Sequence, residues 1–264
     1  MVYGATLGDY IGSRFEWHNI KTKNFSLFDS RCHPTDDTIM TLAIQEACEK
    51  IKSEGCNDER AKEIFVECMQ SWGRVFKHVG YGKSFKAWIF KSDPKPYNSW
   101  GNGSAMRVSP VAWAFDTLKD VEHYAALSSE VTHNHPEGIK GAVTTAGCIF
   151  LARTGANKHA IKKYVMSKGY RLKFNFMVRK NYRFDVSCMG TIPVAVESFL
   201  ESKNFEDAIR NAISMGGDSD TIGAITGSIA EAFYGVPTEL KNKADKILER
   251  IYATKNNWCD DPDL

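Results

Sequence analysis

Apolar residues recur three and four positions apart in most segments of this chain, which is the spacing of one face of an α-helix. The clearest example lies between residues 39 and 51, where charged residues fill the positions between the apolar ones. Similar segments are residues 4–12, 58–76, 138–152, 188–199, 205–215, 222–234 and 244–252. No series of alternating apolar and polar residues indicates a sheet. The pattern predicts an all-α fold, with residues 1–264 forming one compact domain of many helices.

The segments between these helices differ in composition. Residues 19–33 are polar, with mixed charge and no clear period, and they predict a connector. Residues 80–103 are rich in glycine, proline and aromatic residues, which predicts an irregular loop. The Gly216-Gly217 pair predicts the end of one helix, and Pro237 predicts the end of the next.

The composition is that of an ordinary globular protein and narrows the function only by exclusion. Of 264 residues, 43% are apolar and 25% are charged, and the formal net charge of +2 gives no general case for nucleic-acid or membrane binding. No apolar run approaches the length of a transmembrane helix, and no signal peptide is evident. The seven cysteines are scattered without a C-x-x-C pair, so we expect reduced thiols and a cytoplasmic location.

The spacing of glycines singles out the first helix. Gly4, Gly8 and Gly12 lie four residues apart and form one stripe on the helix surface. Because glycine weakens a helix, this stripe indicates close approach of another backbone, as in tight helix packing, or of a ligand. Asp9 and Glu16 are seven residues apart and share a face if the helix extends that far. Taken alone, Asp9 is expected to be a solvated or capping carboxylate.

Two short motifs place pairs of aspartates in front of predicted helices. They are Pro34–Thr38 and Gly216–Thr221, with aspartates at positions 36, 37, 218 and 220. Such aspartates commonly act only as caps at the positive end of a helix. If the two motifs meet, their oxygen atoms suit Mg²⁺, Mn²⁺ or Ca²⁺, and two such ions would neutralise four carboxylates. A two-metal hydrolase fits this arrangement better than a glycosidase pair, which needs one protonated acid.

Three further features carry weaker signals. Asn98–Ser104 contains Gly-Asn-Gly, whose exposed backbone N–H groups can hold phosphate oxygens, although a plain turn is the alternative. His133 and His135 precede a helix, and without a third ligand at metal spacing they are expected to make polar contacts near its start. Residues 158–183 are basic and contain no acid, which predicts a solvated face, with docking of an acidic partner or a phosphate as the alternative.

In combination, these motifs resemble the ADP-ribosylglycohydrolase family, which includes the glycohydrolase that activates dinitrogenase reductase. The similarity extends over nearly the whole chain. It rests on His133 and on four stretches in a fixed order, namely Gly4–Glu16, Thr35–Met40, Gly101–Arg107 and Gly217–Thr221. This ordered set is far more specific than either aspartate motif alone.

The resemblance implies an all-α fold with a two-metal cleft that holds two Mg²⁺ or Mn²⁺ ions. The implied metal ligands are Thr35, Asp36, Asp37, Asp218, Asp220 and Thr221. The implied catalytic residues are Glu16, as a gate or acid–base group, with Asp36 and Asp220. The implied ADP-ribose-binding residues are Ser99, Trp100, Gly101, Asn102, Gly103 and His133. Of these, Trp100 either stacks on the ribose or adenine or has a packing role.

The implied reaction is metal-dependent hydrolysis of the glycosidic bond between ADP-ribose and an arginine or serine side chain or a small acceptor. The expected partner is therefore an ADP-ribosylated protein or an ADP-ribose derivative. A non-catalytic ADP-ribose-binding or structural relative and a Mg²⁺-dependent phosphohydrolase are the alternatives. Some arginine-directed members carry an acidic residue between the first aspartate pair and the Gly-Asn-Gly loop, where this chain offers only Asp93 in the later part of the interval. The leaving group therefore stays open.

Overall fold

The fold is all-α, as the apolar spacing predicts. A computed structural model describes residues 2–173 and 178–259, and within these ranges there is no β-strand. The helices are α1 (Tyr3–Gly12), α2 (Asp36–Glu54), α3 (Asp58–Val75), α4 (Lys83–Trp88), α5 (Gly103–Met106), α6 (Ser109–Ala114), α7 (Leu118–Glu130), α8 (Pro136–Arg153), α9 (Lys158–Ser167), α10 (Cys188–Leu200), α11 (Phe205–Ile213), α12 (Ser219–Tyr234) and α13 (Thr238–Cys259). They share one continuous apolar core, so the described chain forms a single compact domain.

The structure contains helices that the apolar spacing does not predict, among them α6 and α9, and it extends others. The predicted loop over residues 80–103 contains the short helix α4, which buries Phe85 and Trp88. Helix α7 lies in a stretch for which no helix is predicted, and Thr117 caps it by accepting a hydrogen bond from the backbone N–H of Asp120. Helix α13 extends over Thr238–Cys259 instead of residues 244–252. Short or weakly amphipathic helices leave little periodic signal in a sequence.

Helices α1 and α12 pack against each other backbone to backbone. A Cβ atom on Gly8 would lie 2.0 Å from the backbone oxygen of Gly223, and one on Gly4 would lie 2.1 Å from that of Gly227. Only glycine permits two backbones to approach this closely. The predicted close approach of another backbone to the glycine stripe is therefore confirmed, and the partner is a second helix with its own glycine spacing.

The ends of the helices that matter for function have clear local causes. Thr35 caps α2, because its hydroxyl accepts a hydrogen bond from the backbone N–H of Asp37. The predicted end of α11 is confirmed, since Gly216 and Gly217 both adopt positive φ values, 65° and 76°, after the helix has ended. His135 caps α8 through a hydrogen bond from Glu137 N–H, which confirms a polar contact near that helix start.

Two further predictions concern thiols and membranes. Every cysteine whose side chain the structure describes is free, namely Cys32, Cys48, Cys56, Cys68, Cys148 and Cys188. Across residues 2–173 and 178–259, no helix combines the length and the apolar character that a membrane span requires.

The basic segment over residues 158–183 is only in part a solvated face. Lys158 donates a hydrogen bond to the backbone oxygen of Leu200 at 3.1 Å, and Lys168 forms an ion pair with Glu122 at 2.8 Å. Lys163 and Lys173 are exposed. Residues 174–177 of this segment lie outside the described residues.

Candidate active site

A single deep cleft gathers the residues that the sequence motifs single out. Its volume is about 970 Å³, which is large enough for a nucleotide-sized ligand. The predicted site residues that line it are Glu16, Thr35, Asp36, Asp37, Ser99, Trp100, Gly101, Asn102, Gly103, His133, Asp218, Asp220 and Thr221. Residues separated by about two hundred positions in the chain thus face one another across the same cavity.

Helix α1 holds the first aspartate motif through Asp9. This buried carboxylate accepts hydrogen bonds from the backbone N–H and the hydroxyl of Thr35, at 2.9 and 2.8 Å. It also accepts from the backbone N–H of Thr38, at 3.0 Å, and from the Thr38 hydroxyl. Asp9 is therefore not solvated. It satisfies the N-terminal donors of α2, which is a capping role exercised from another helix.

The second aspartate motif meets the first at the N-terminus of α12. The Thr221 hydroxyl donates a hydrogen bond to Asp37 Oδ2 at 3.1 Å. The Asn102 side-chain amide donates to Asp218 Oδ2 at 2.7 Å and to the Thr191 hydroxyl at 3.0 Å, which ties the Gly-Asn-Gly loop to this motif. The two motifs and the glycine loop are thus joined directly by side-chain hydrogen bonds.

The electrostatics of the cleft favour a bound cation. Burial, followed by repulsion from neighbouring carboxylates, raises the pKa values of Asp36, Asp37 and Asp220 well above their ordinary range. Burial also raises the pKa of Asp218 to about 6. Asp37 Oδ1 is buried without a hydrogen-bond partner, and no Lys or Arg in the described ranges forms an ion pair with these four aspartates. Buried, mutually repelling oxygen ligands of this kind fit a hard divalent ion.

Glu16 lies beside the second motif, although not on α1. The helix ends at Gly12, and a turn of 3₁₀-helix over Ser13–Phe15 leads into Glu16. One carboxylate oxygen each of Glu16, Asp218 and Asp220 lie within 4.8 Å of one another, which is an arrangement that could hold a metal ion. Burial, and then the charges of Asp220 and Asp9, raise the pKa of Glu16 to about 7. Because α1 ends at Gly12, the prediction that Asp9 and Glu16 share one helical face does not apply.

Two backbone N–H groups of the glycine loop donate hydrogen bonds to other groups of the protein. The backbone N–H of Gly101 donates to the Ser99 hydroxyl at 3.1 Å, and that of Asn102 donates to the Val186 backbone oxygen at 2.7 Å. These two N–H groups therefore have acceptors within the protein, which agrees with the alternative of a plain turn. Trp100 is half exposed and lines the cleft.

Two aromatic residues of the cleft carry no signal in the sequence. Trp17 and Phe184 stack on each other with ring centroids 5.0 Å apart, and both line the cleft although Trp17 is 73% exposed. Neither belongs to a periodic segment. Their pairing depends on a contact between positions that are 167 residues apart, so only the folded chain reveals it.

Comparison with known proteins follows the same line. Residues 1–259 match the ADP-ribosylglycohydrolase family. The human ADP-ribosylhydrolase ARH3 is 25% identical over an alignment of 316 positions, gaps included, which covers 88% of this chain and 84% of the human protein. The ADP-ribosyl-dinitrogen reductase glycohydrolase of Rhodospirillum rubrum is 30% identical, over 57% of this chain and 52% of that protein.

A solved structure described as an ADP-ribosylglycohydrolase-related protein complex has the same fold. It matches with a TM-score of 0.67 and 21% identity, and the match covers 96% of this chain and 95% of the other. The family match spans almost the entire sequence and therefore includes both aspartate motifs. The chain belongs to the ADP-ribosylglycohydrolase family, whose members are hydrolases that act on glycosidic bonds of ADP-ribose.

Proposed function

We propose that this protein removes ADP-ribose from a modified side chain or small acceptor by metal-dependent hydrolysis of the glycosidic bond. The observation that carries the proposal is the meeting of both aspartate motifs, Glu16, the glycine loop and His133 in one cleft of about 970 Å³. The cleft thus places an acidic end beside a part suited to a nucleotide. Membership of a family of ADP-ribose hydrolases supports the same activity.

The acidic end of the cleft would hold two Mg²⁺ or Mn²⁺ ions. The residues that would bind them are Thr35, Asp36, Asp37, Asp218, Asp220 and Thr221. Divalent ions in such a site activate a water molecule and polarise substrate oxygens. The unpartnered Asp37 Oδ1 and the absence of ion pairs to the aspartates in the described residues support this assignment.

Glu16, Asp36 and Asp220 are the proposed catalytic residues. Glu16 is half buried beside Asp220, and its pKa of about 7 suits a carboxyl that gives or takes a proton near neutral pH. Asp36 and Asp220 would orient the attacking water through their remaining oxygen atoms. The ribose and diphosphate would lie along Ser99, Gly101, Asn102, Gly103 and His133, with Trp100 against the ribose or adenine.

Release of ADP-ribose from a modified protein tests this proposal. We expect release with Mg²⁺ or Mn²⁺, none after chelation, and none from Asp218→Ala. Asp116→Ala is the matched control, because Asp116 is 89% exposed and absent from the cleft lining. Asp218→Ala activity equal to that of the wild type would refute the proposal. Binding of ADP-ribose without turnover would identify a non-catalytic relative instead.

A panel of leaving groups would identify the substrate class. ADP-ribosyl-arginine, ADP-ribosyl-serine and O-acetyl-ADP-ribose should each be tested with and without chelator. Release of inorganic phosphate in place of ADP-ribose would favour a phosphohydrolase. Asp93, the acidic residue in the interval where arginine-directed members carry one, forms an exposed ion pair with Lys95 and does not line the cleft. The panel is therefore needed to choose between arginine and the other acceptors.

A further inference from the structure

A buried hydrogen-bond chain leads from Arg107 to His133 behind the glycine loop. Arg107 is 1% exposed, Thr132 is fully buried and His133 is 6% exposed. Arg107 Nη2 donates to the Thr132 hydroxyl at 2.7 Å and to the Ser128 backbone oxygen at 3.1 Å. The Thr132 hydroxyl also lies 2.8 Å from His133 Nδ1. Three polar side chains thus form one chain that ends on an imidazole ring of the cleft.

The direction of this chain follows from the chemistry of its first member. A guanidinium only donates hydrogen bonds, so the Thr132 oxygen accepts from Arg107. The hydroxyl proton of Thr132 then needs an acceptor, and His133 Nδ1 is the one within reach. If Nδ1 carried a proton instead, the buried Thr132 proton would lose its acceptor, which is unfavourable. His133 Nδ1 therefore accepts, and the proton of the neutral ring is on Nε2.

The other ring nitrogen faces the glycine loop. A Cβ atom on Gly103 would lie 3.2 Å from His133 Nε2, and one on Gly101 would lie 3.6 Å from it. Side chains at these two positions would lie against the ring, so the glycines leave room beside Nε2. Among residues 2–173 and 178–259, Nε2 has no hydrogen-bond partner. An N–H donor on a cleft-lining ring thus stands without an acceptor from the protein.

We propose that Arg107 and Thr132 hold His133 as its Nε2–H tautomer, so that the ring donates a hydrogen bond to an oxygen atom of the ligand in the cleft. The ligand follows from the proposed function and is ADP-ribose, through a phosphate or ribose oxygen. Arg107 and Thr132 act as positioning residues. Burial, and then the charge of the Arg107 guanidinium, lower the pKa of His133 well below its ordinary range, which opposes a second proton on the ring.

The tautomer can be observed directly in the ligand-free protein. Long-range ¹H–¹⁵N NMR correlations of the full chain labelled with [¹⁵N]histidine distinguish the two neutral tautomers and the imidazolium. His133→Gln assigns the signal by its loss. We expect an unprotonated Nδ1 and a protonated Nε2 at neutral pH. An Nδ1–H tautomer or an imidazolium at His133 would overturn the inference, whatever the activity of the protein.

Variants of Thr132 separate positioning from folding. Thr132→Val keeps the side-chain shape and removes the hydroxyl, so it should shift the Nδ1 signal, which loses its hydrogen bond, and weaken ADP-ribose binding about tenfold, the loss typical of one hydrogen bond. Thr132→Ser restores the hydroxyl and should restore both. Thermal unfolding of each variant checks that it folds. A His133 pattern in Thr132→Val identical to that of the wild type would contradict the proposal.

Gly103→Ala provides a control for the ligand side. It should leave the tautomer unchanged and weaken ADP-ribose binding, because the added methyl group would press on Nε2. If the Nδ1 signal of His133 follows the Thr132 hydroxyl but ADP-ribose does not bind to the wild type, the proposed function fails and the hydrogen-bond chain stands. If ADP-ribose binds equally well to wild type and Thr132→Val, the donor role of His133 fails while the proposed function stands.

Discussion

The two aspartate motifs are fastened to the same helix, α1, by opposite means. Thr35–Thr38 is held by the Asp9 carboxylate, which accepts four hydrogen bonds from it. The motif Asp218–Thr221 is held by the packing of α12 against α1, where Gly8 and Gly223 touch backbone to backbone. The first attachment consists of hydrogen bonds to one side chain. The second is mainly backbone contact at glycines, to which the Ser219 hydroxyl adds one hydrogen bond to the Gly12 backbone oxygen at 3.1 Å.

This difference teaches how a fold can hold carboxylates that repel one another. Burial of the cleft aspartates opposes assembly, because burial and then the charges of neighbouring carboxylates raise the pKa values of Asp37 and Asp220. Hydrogen bonds to Asp9 hold the first motif in place, whereas backbone contact between α12 and α1 positions the second motif. A polar attachment can be partly replaced by another acceptor. A glycine contact cannot, because every other residue is larger.

The largest effect is expected from Gly8→Ala. Its methyl group would lie 2.0 Å from the Gly223 backbone oxygen, and a backbone atom has little freedom to move. We expect a loss of about 4 kcal/mol or more in the free energy of unfolding, above the usual range for overpacking. Denaturant unfolding measures it. The matched control is Gly82→Ala, since Gly82 has open space around its Cβ position and φ of −56°. Equal stabilities of the two variants would refute the glycine contact.

Asp9→Ala tests the polar attachment and should cost about 3 kcal/mol, because it leaves the buried N–H groups of Thr35 and Thr38 without an acceptor. Asp9→Asn keeps one oxygen and should recover part of this loss. Chemical denaturation compares the two variants. Asp9→Asn as unstable as Asp9→Ala would show that the polar attachment is no more replaceable than the glycine contact.

Metal binding tests whether the two motifs form one site despite their different attachments. Mn²⁺ at a hundred times its Kd should stabilise the protein by about 2.7 kcal/mol. Asp37→Asn and Asp220→Asn should each remove most of this stabilisation, as followed by thermal unfolding with and without chelator. Loss of the response in only one of the two variants would mean that the motifs do not share the ions.

The smallest effect is expected at the far end of the α1–α12 contact. Glu231 accepts a hydrogen bond from Gly4 N–H at 2.8 Å, and burial raises the pKa of Glu231 above 4.5. The folded state therefore binds the carboxyl proton of Glu231 more tightly than the unfolded state does. The stabilisation from this protonation is full below about pH 4.5 and is lost as pH rises through the raised pKa. Glu231→Gln should flatten this slope and change stability at neutral pH by less than about 1 kcal/mol. An unchanged pH profile would rule out the contribution.

Local features of the site could be predicted from the sequence, whereas the contacts between distant segments that hold the site together could not. The glycine stripe predicted close approach, but its partner lies more than two hundred positions away, where no periodicity connects them. Asp9 looked like a solvated or capping carboxylate because its donors, Thr35 and Thr38, belong to another helix.

Short-range sequence patterns also fail to predict very short helices and hydrogen bonds between residues that are far apart in the chain. Helix α4 has six residues, too few for a helical period to be recognised. The glycine loop suggested either phosphate contacts or a plain turn, yet the side chain of Asn102 in this loop donates a hydrogen bond to Asp218, 116 positions away. The stacking of Trp17 on Phe184 has no signature at all, because each residue is an isolated aromatic in the sequence.

The contact between α1 and α12 also sets the time at which the site can exist during synthesis. Helix α1 is made before α12, and Gly223 and Glu231 follow Gly8 and Gly4 by more than two hundred residues. At about 5–20 residues per second, α1 waits for tens of seconds with its glycine stripe uncovered. The acidic cleft therefore assembles only after α12 has been made, because a chain that stops before α12 lacks the second aspartate motif.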